Sequence, residues 1–237
     1  MIRRNLPLGT LLIAGLATAW ASLPPTPARA TVAMQTPELA HIEGMAETAI
    51  DQFLHKDFKT AHRTLGRMQH AFDILHREIS HKPYDERKER ELATMHLWLR
   101  EMGIAIDNRS GIGGAIAANQ LTASLIRYQD FPDTVKSSIA WLDYLGREIV
   151  LLNMEGPRRN ASLLEFQRND LQVTWHTLRR LLLRDMRNKP VTLRVDDVVE
   201  HLTTRLDRND QVQDGNKLLS LIDRMDRLPD PLAAASR

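Results

Sequence analysis

Phe58, Ala61, Leu65, Met68, Phe72, Leu75 and Ile79 advance by alternating steps of three and four residues, a stripe that an α-helix gathers onto one side. The same rhythm returns in Leu92, Met95, Leu99, Met102 and Ile106, and again in Leu164, Leu171, Trp175, Leu178 and Leu182. Past residue 36 no segment alternates with the period of two that a half-buried strand requires. The spacing therefore predicts an all-α fold, a helical bundle of about eight helices. A chain of 237 residues that is 43% hydrophobic has enough apolar material to bury such a core.

Breaks in the pattern divide these helices into two sets of four. Thr36-Pro37-Glu38 opens the first with a cap residue, a proline at the first helical position and an acid at the positive end of the dipole. His55-Lys56-Asp57 separates it from the second, Pro83 ends the second, and Ser110 stands ready to cap a fourth over 111–129. Pro132 and Asp133 start the next set, Gly156-Pro157 breaks it, and Pro190 precedes its third member. The expected organisation is a unit over 31–129, a second over 130–229, and a disordered tail over 230–237. Two duplicated four-helix units fit this order, since "ANQLTASLI" in the first half lies against "GNKLLSLI" in the second. The alternative is an α-helical-hairpin repeat array, whose rhythm "FLHKDFKTAHRTL" shares, although no period of about 34 residues recurs.

The first thirty residues have a different character. Arg3 and Arg4 precede the apolar run "LPLGTLLIAGLATAW", and the small-residue sites "AWA" and "ARA" end at Ala21 and Ala30. Positive, apolar and small in that order predict a secretory signal peptide over 1–30, cleaved after Ala30 or, as second choice, Ala21. The expected location is periplasmic or secreted, with no transmembrane span once the signal is removed. Residues 1–30 hold three of the 32 basic residues and none of the 30 acidic ones, so 31–237 carries a net charge of −1. The basic character of the whole chain is then no argument for nucleic acid as a partner. Cysteine is absent, which excludes disulfides, a thiol nucleophile and a lipid anchored through cysteine.

Three glycines in four positions, Gly111, Gly113 and Gly114, invite comparison with a phosphate loop. A helical pattern precedes them where a strand is needed, and Asn119 and Gln120 follow where a Lys and a hydroxyl residue belong. The glycines instead remove bulk at the start of a helix so that a neighbouring backbone can approach. Asn119 shares a face with Ile112, Ile116, Ala123 and Ile126, which predicts a buried polar residue with a structural hydrogen bond.

Seven of nine histidines fall between His41 and His96. His55, His62 and His76 occupy one heptad position beside the second stripe, and His96 occupies the same position beside the third. Histidines seven residues apart on one helix are about 10 Å apart, so a metal site over His62, His76 and His96 would have to be built between helices. Imidazole with thioether help from Met68, Met95 or Met102 would favour copper, with zinc or nickel behind. The Glu-x-x-His pairs at Glu38 and Glu78 miss the phase of a di-iron bundle. "DRNDQVQDGN" lacks the ligand spacing of a calcium loop. Arg158, Arg159, Arg168, Arg179, Arg180, Arg184 and Arg187 read as a solvated face with local ion pairs. No nucleophile motif or cofactor fingerprint appears, and no catalytic residue is assigned. The sequence thus predicts an exported, soluble, all-helical binding or scaffold protein of the bacterial cell envelope, taking a protein or small ligand, with a periplasmic transition-metal protein as the alternative.

Overall fold

The computed structural model describes residues 37–226 apart from Ser80, Lys82, Pro132, Arg205 and Leu206. The expected signal peptide, the tail and the Thr36 cap lie outside the described residues. Among the described residues eight α-helices follow one another: α1 (Pro37–Leu54), α2 (Phe58–Ile79), α3 (Glu86–Asp107), α4 (Gly111–Tyr128), α5 (Thr134–Glu155), α6 (Ala161–Leu182), α7 (Lys189–Thr204) and α8 (Arg208–Asp226). A 3-10 turn, Met186–Asn188, leads into α7. The chain is all-helical, and among the described residues there is no strand. No helix among them is long and apolar enough to cross a membrane.

In the first set α1 packs on α2, α2 on α3, α3 on α4 and α4 back on α1; the second set repeats this order from α5 to α8, with α5 against α8. The closing contacts, α1 with α4 and α5 with α8, make each set a ring around its own core, whereas an open hairpin array would leave them apart. Phe53, Met68, Met95 and Leu121 fill the first core; Leu142, Ile149, Trp175 and Leu202 fill the second. The cores meet along α4 and α5: Ala123 and Ile126 of α4 belong to the second, and Leu151 of α5 to the first. All the described helices belong to one compact unit.

Local chemistry sets the helix ends. Asp85 accepts from the backbone N–H groups of Arg87 and Lys88, and Asp133 from that of Lys136, so both satisfy donors the helix leaves open. Ser110 occupies the cap position of α4 without a side-chain cap bond. Gly156 ends α5 at φ 148°, a conformation open to glycine. The turn after α1 closes differently. Lys56 N–H donates to Phe53 O and Asp57 N–H to Gln52 O, a Schellman closure with Lys56 at φ 59° where glycine is usual. Arg109, at φ 51°, closes α3 in the same way. Relief of side-chain strain there exceeds the chain entropy glycine adds, so Lys56→Gly should stabilise the protein by about 0.5–1 kcal/mol. Urea unfolding checks this, and a lower midpoint than wild type would refute it.

Candidate functional site

Three places hold polar chemistry: the face carrying the predicted histidines, the junction of α4 with α5, and the outer face of α2.

His62, His76 and His96 are all exposed. His76 stacks on Phe72 with centroids 6.4 Å apart, and His96 of α3 lies against the same ring at 6.1 Å. α2 and α3 thus bring His76 and His96 to one phenyl group. His62 stands fourteen residues before His76 on α2, about 21 Å along the axis, and does not join them. Among the described residues no three His, Cys, Asp or Glu side chains gather in a metal-holding arrangement. His55 turns back on its own helix, its Nδ1 2.8 Å from Asp51 O.

Asn119 is fully buried, and its Nδ2 donates to Glu148 Oε2 at 2.8 Å and to the Tyr144 carbonyl at 3.3 Å. The acid it meets is the residue the sequence reading did not single out. Glu148 projects from α5 with 0% of its surface exposed, and its hydrogen-bond partners are two neutral amides. Gln120 Nε2 donates to Glu148 Oε1 at 2.9 Å and to the Tyr144 hydroxyl at 3.1 Å; Gln167 of α6 reaches that hydroxyl at 3.5 Å. Burial pushes the Glu148 carboxyl up to about 7 against the opposing pull of the two amides, with Glu155 adding a small upward push. Burial and the neighbouring Glu148 also push the Tyr144 phenol up. Asn119 Oδ1 is buried with no hydrogen-bond partner among the described residues. The network is sealed in the core and ties α4, α5 and α6 together, a structural role.

Beside Glu148 in the chain, Arg147 Nη2 pairs with Asp143 Oδ2 at 2.8 Å and Glu47 Oε1 at 2.9 Å, joining α5 to α1. Burial raises Asp143 to about 6; Arg147 opposes this, while Glu47, Asp223 and Glu43 reinforce it. The arginines of α6 and its flanks are partly committed to local partners. Arg179 Nε donates to both oxygens of Asp196, Arg168 reaches Gln211 Oε1, and Arg187 pairs with Asp185. Trp175 and Trp141 donate to Asp196 and Asp170, each indole satisfied at the edge of the core. "DRNDQVQDGN" is the start of α8: Asp207 caps the N–H groups of Asn209 and Asp210.

α2 has an outer face of another kind. Residues 58–72 contain no acid, and Lys59, Arg63, Arg67 and His70 follow at steps of four, four and three along the side opposite the core. Asp57 caps the helix by accepting from Thr60 N–H at 3.1 Å, and hydrogen bonds from the Thr60 hydroxyl and backbone hold its carboxyl below the usual range. Arg63 donates to Thr60 Oγ1 and Arg67 to Thr64 Oγ1, but among the described residues neither meets a carboxylate within 4 Å. Lys59 is a cation at the positive end of the helix dipole, and the like-charge pairs four residues apart weaken the helix that carries them. Gly66 sits in the same row, mid-helix, where an added Cβ would meet nothing within 4 Å among the described residues. Arg63, Gly66, Arg67 and His70 of the row line one cleft together with Glu38 and His41 of α1.

In comparisons with known proteins, the chain matches no family model, no curated protein and no solved structure.

Proposed function

We propose that this chain is an exported, non-catalytic binding or scaffold protein of the bacterial cell envelope, and that it engages its partner through the outer face of α2. The observation that carries the reading is the row Lys59, Arg63, Gly66, Arg67 and His70, which costs α2 stability and meets no need of the core. Glu148 and Tyr144, whose ionisation is displaced farthest, are sealed away from any substrate and serve packing. The signal-like segment over 1–30 supports export, and the absence of cysteine leaves the chain tolerant of an oxidising compartment.

The test is photo-crosslinking in the intact envelope of cells producing the full chain. A photoreactive phenylalanine derivative replaces exposed His62, beside the row on α2, or exposed Gln172 on α6 as a control. A discrete adduct from the α2 position and none from the control is the expected outcome. No adduct at either position, or the same adducts from both, would overturn the reading.

A further inference from the structure

Resting on that reading, we infer that the outer face of α2 takes an acidic helical segment of another protein. Lys59, Arg63 and Arg67 present cations about 6 Å apart along the axis, the interval at which a second helix presents carboxylates four residues apart. Arg63 and Arg67 are steadied by Thr60 and Thr64 and keep donors to spare, so little order is lost when a carboxylate arrives. Gly66 lies between them. Mid-helix glycine is unfavourable, and here no neighbour among the described residues requires it; a notch in the row lets a partner helix approach closely. Ile74 and Ala71 add a short apolar floor at the far end.

Other anions fit the row less well. It carries no Trp, Tyr or Phe between Lys59 and His70 on which a nucleic acid base could stack or that would enter a lipid surface, and the one Leu in that span, Leu65, is buried in the core. A second copy of this chain offers Glu43, Glu47 and Asp51 at the same pitch, but Glu47 is already held by Arg147.

The experiment titrates the full chain against a fluorescent peptide of about 18 residues, long enough to populate a helix, with Glu at every fourth position. A composition-matched isomer with its Glu residues gathered at one end is the comparison, and anisotropy at low and moderate salt is the readout. The patterned peptide should bind about tenfold more tightly than the isomer, and the Arg63→Ala/Arg67→Ala pair should lose about tenfold. Gly66→Leu should lose as much while keeping or raising the unfolding midpoint, because leucine favours the helix and fills the notch. Equal binding of the two peptides would overturn the inference. So would variants that bind like wild type, or tighter binding to phosphatidylglycerol vesicles than to the patterned peptide. A chain that crosslinks at α2 in the envelope yet ignores the patterned peptide loses this inference and keeps its function as a binding protein; one with no adduct loses that function.

Discussion

Replacing Glu148 by glutamine should make the protein about 2–3 kcal/mol more stable at pH 8 while leaving it nearly unchanged at pH 4. The sign follows from the direction of the shift. Burial raises the carboxyl from 4.5 in the unfolded chain to about 7 in the folded one. Between those values the folded protein holds a proton that the unfolded chain has released. Stability from this group is complete below 4.5, falls as pH rises through the window, and has lost about 3 kcal/mol above 7. The substituted amide carries no proton to lose. Its carbonyl accepts from one of the two neighbouring amides as the neutral acid does, and the other amide keeps its bond to Tyr144, Asn119 to the carbonyl or Gln120 to the hydroxyl. Urea unfolding at pH 4 and pH 8 separates this from a simple packing effect. An equal change in stability at both values would show that Glu148 does not titrate inside the core.

The buried acid also shows what the junction of the two rings asks of α5. Asp143, raised to about 6, titrates in the same direction one turn away, so the wild-type protein should lose stability through both groups as pH rises from about 4 to about 7. Arg147 tempers the Asp143 contribution, whereas nothing cationic hydrogen-bonds Glu148. The substitution at Glu148 is therefore the cleaner readout.

Helices with one buried side were legible in the sequence because a stripe repeats with the period of the backbone. Ala61, Leu65, Met68, Phe72, Leu75 and Ile79 of α2 are all buried, and the α6 stripe from Leu164 to Leu182 is buried as well. On α5 a stripe of this kind, Val135, Ile139, Leu142, Ile149 and Leu152, is buried as well but accounts for only part of what the helix buries. It packs against α4, α6 and α8 at once, so from Tyr144 to Asn153 every residue but Arg147 is buried. A signal was present: Tyr144, Leu145, Leu151 and Leu152 stand three or four residues from Glu148, so helical spacing puts that acid among apolar neighbours. Asn119 was recognisable because its companions Ile116 and Ala123 mark a face, but its partner lies 29 residues away on another helix. The row on α2 was readable too, yet the histidines nearby are the louder signal. Histidines beside a core stripe suggest ligands, while Lys59, Arg63 and Arg67 resemble any solvated surface until their missing carboxylates are seen in three dimensions.

Gly114→Ala should cost about 2–3 kcal/mol, although alanine is the better helix former, because the methyl group would enter Phe53. An added Cβ would stand 2.2 Å from two atoms of that ring, and Phe53 is completely buried. The ring has little freedom to give way, since Phe58 meets its edge at 6.4 Å and the backbone carbonyl of Phe53 stands 2.7 Å from where a Cβ on Gly111 would lie. α4 would have to move away from α1, opening the contact that closes the first ring. Phe53→Leu alone should cost about 1–2 kcal/mol by leaving a small void. Introduced together with Gly114→Ala, the smaller leucine vacates the space the methyl needs. The pair should then be at least as stable as Gly114→Ala alone, a coupling of about 1 kcal/mol or more. Strict additivity in denaturant unfolding would mean that the penalty at Gly114 comes from somewhere other than Phe53. Coupling would assign Gly114 to the close approach of α4 and α1, the role that the Phe53 carbonyl beside Gly111 also indicates.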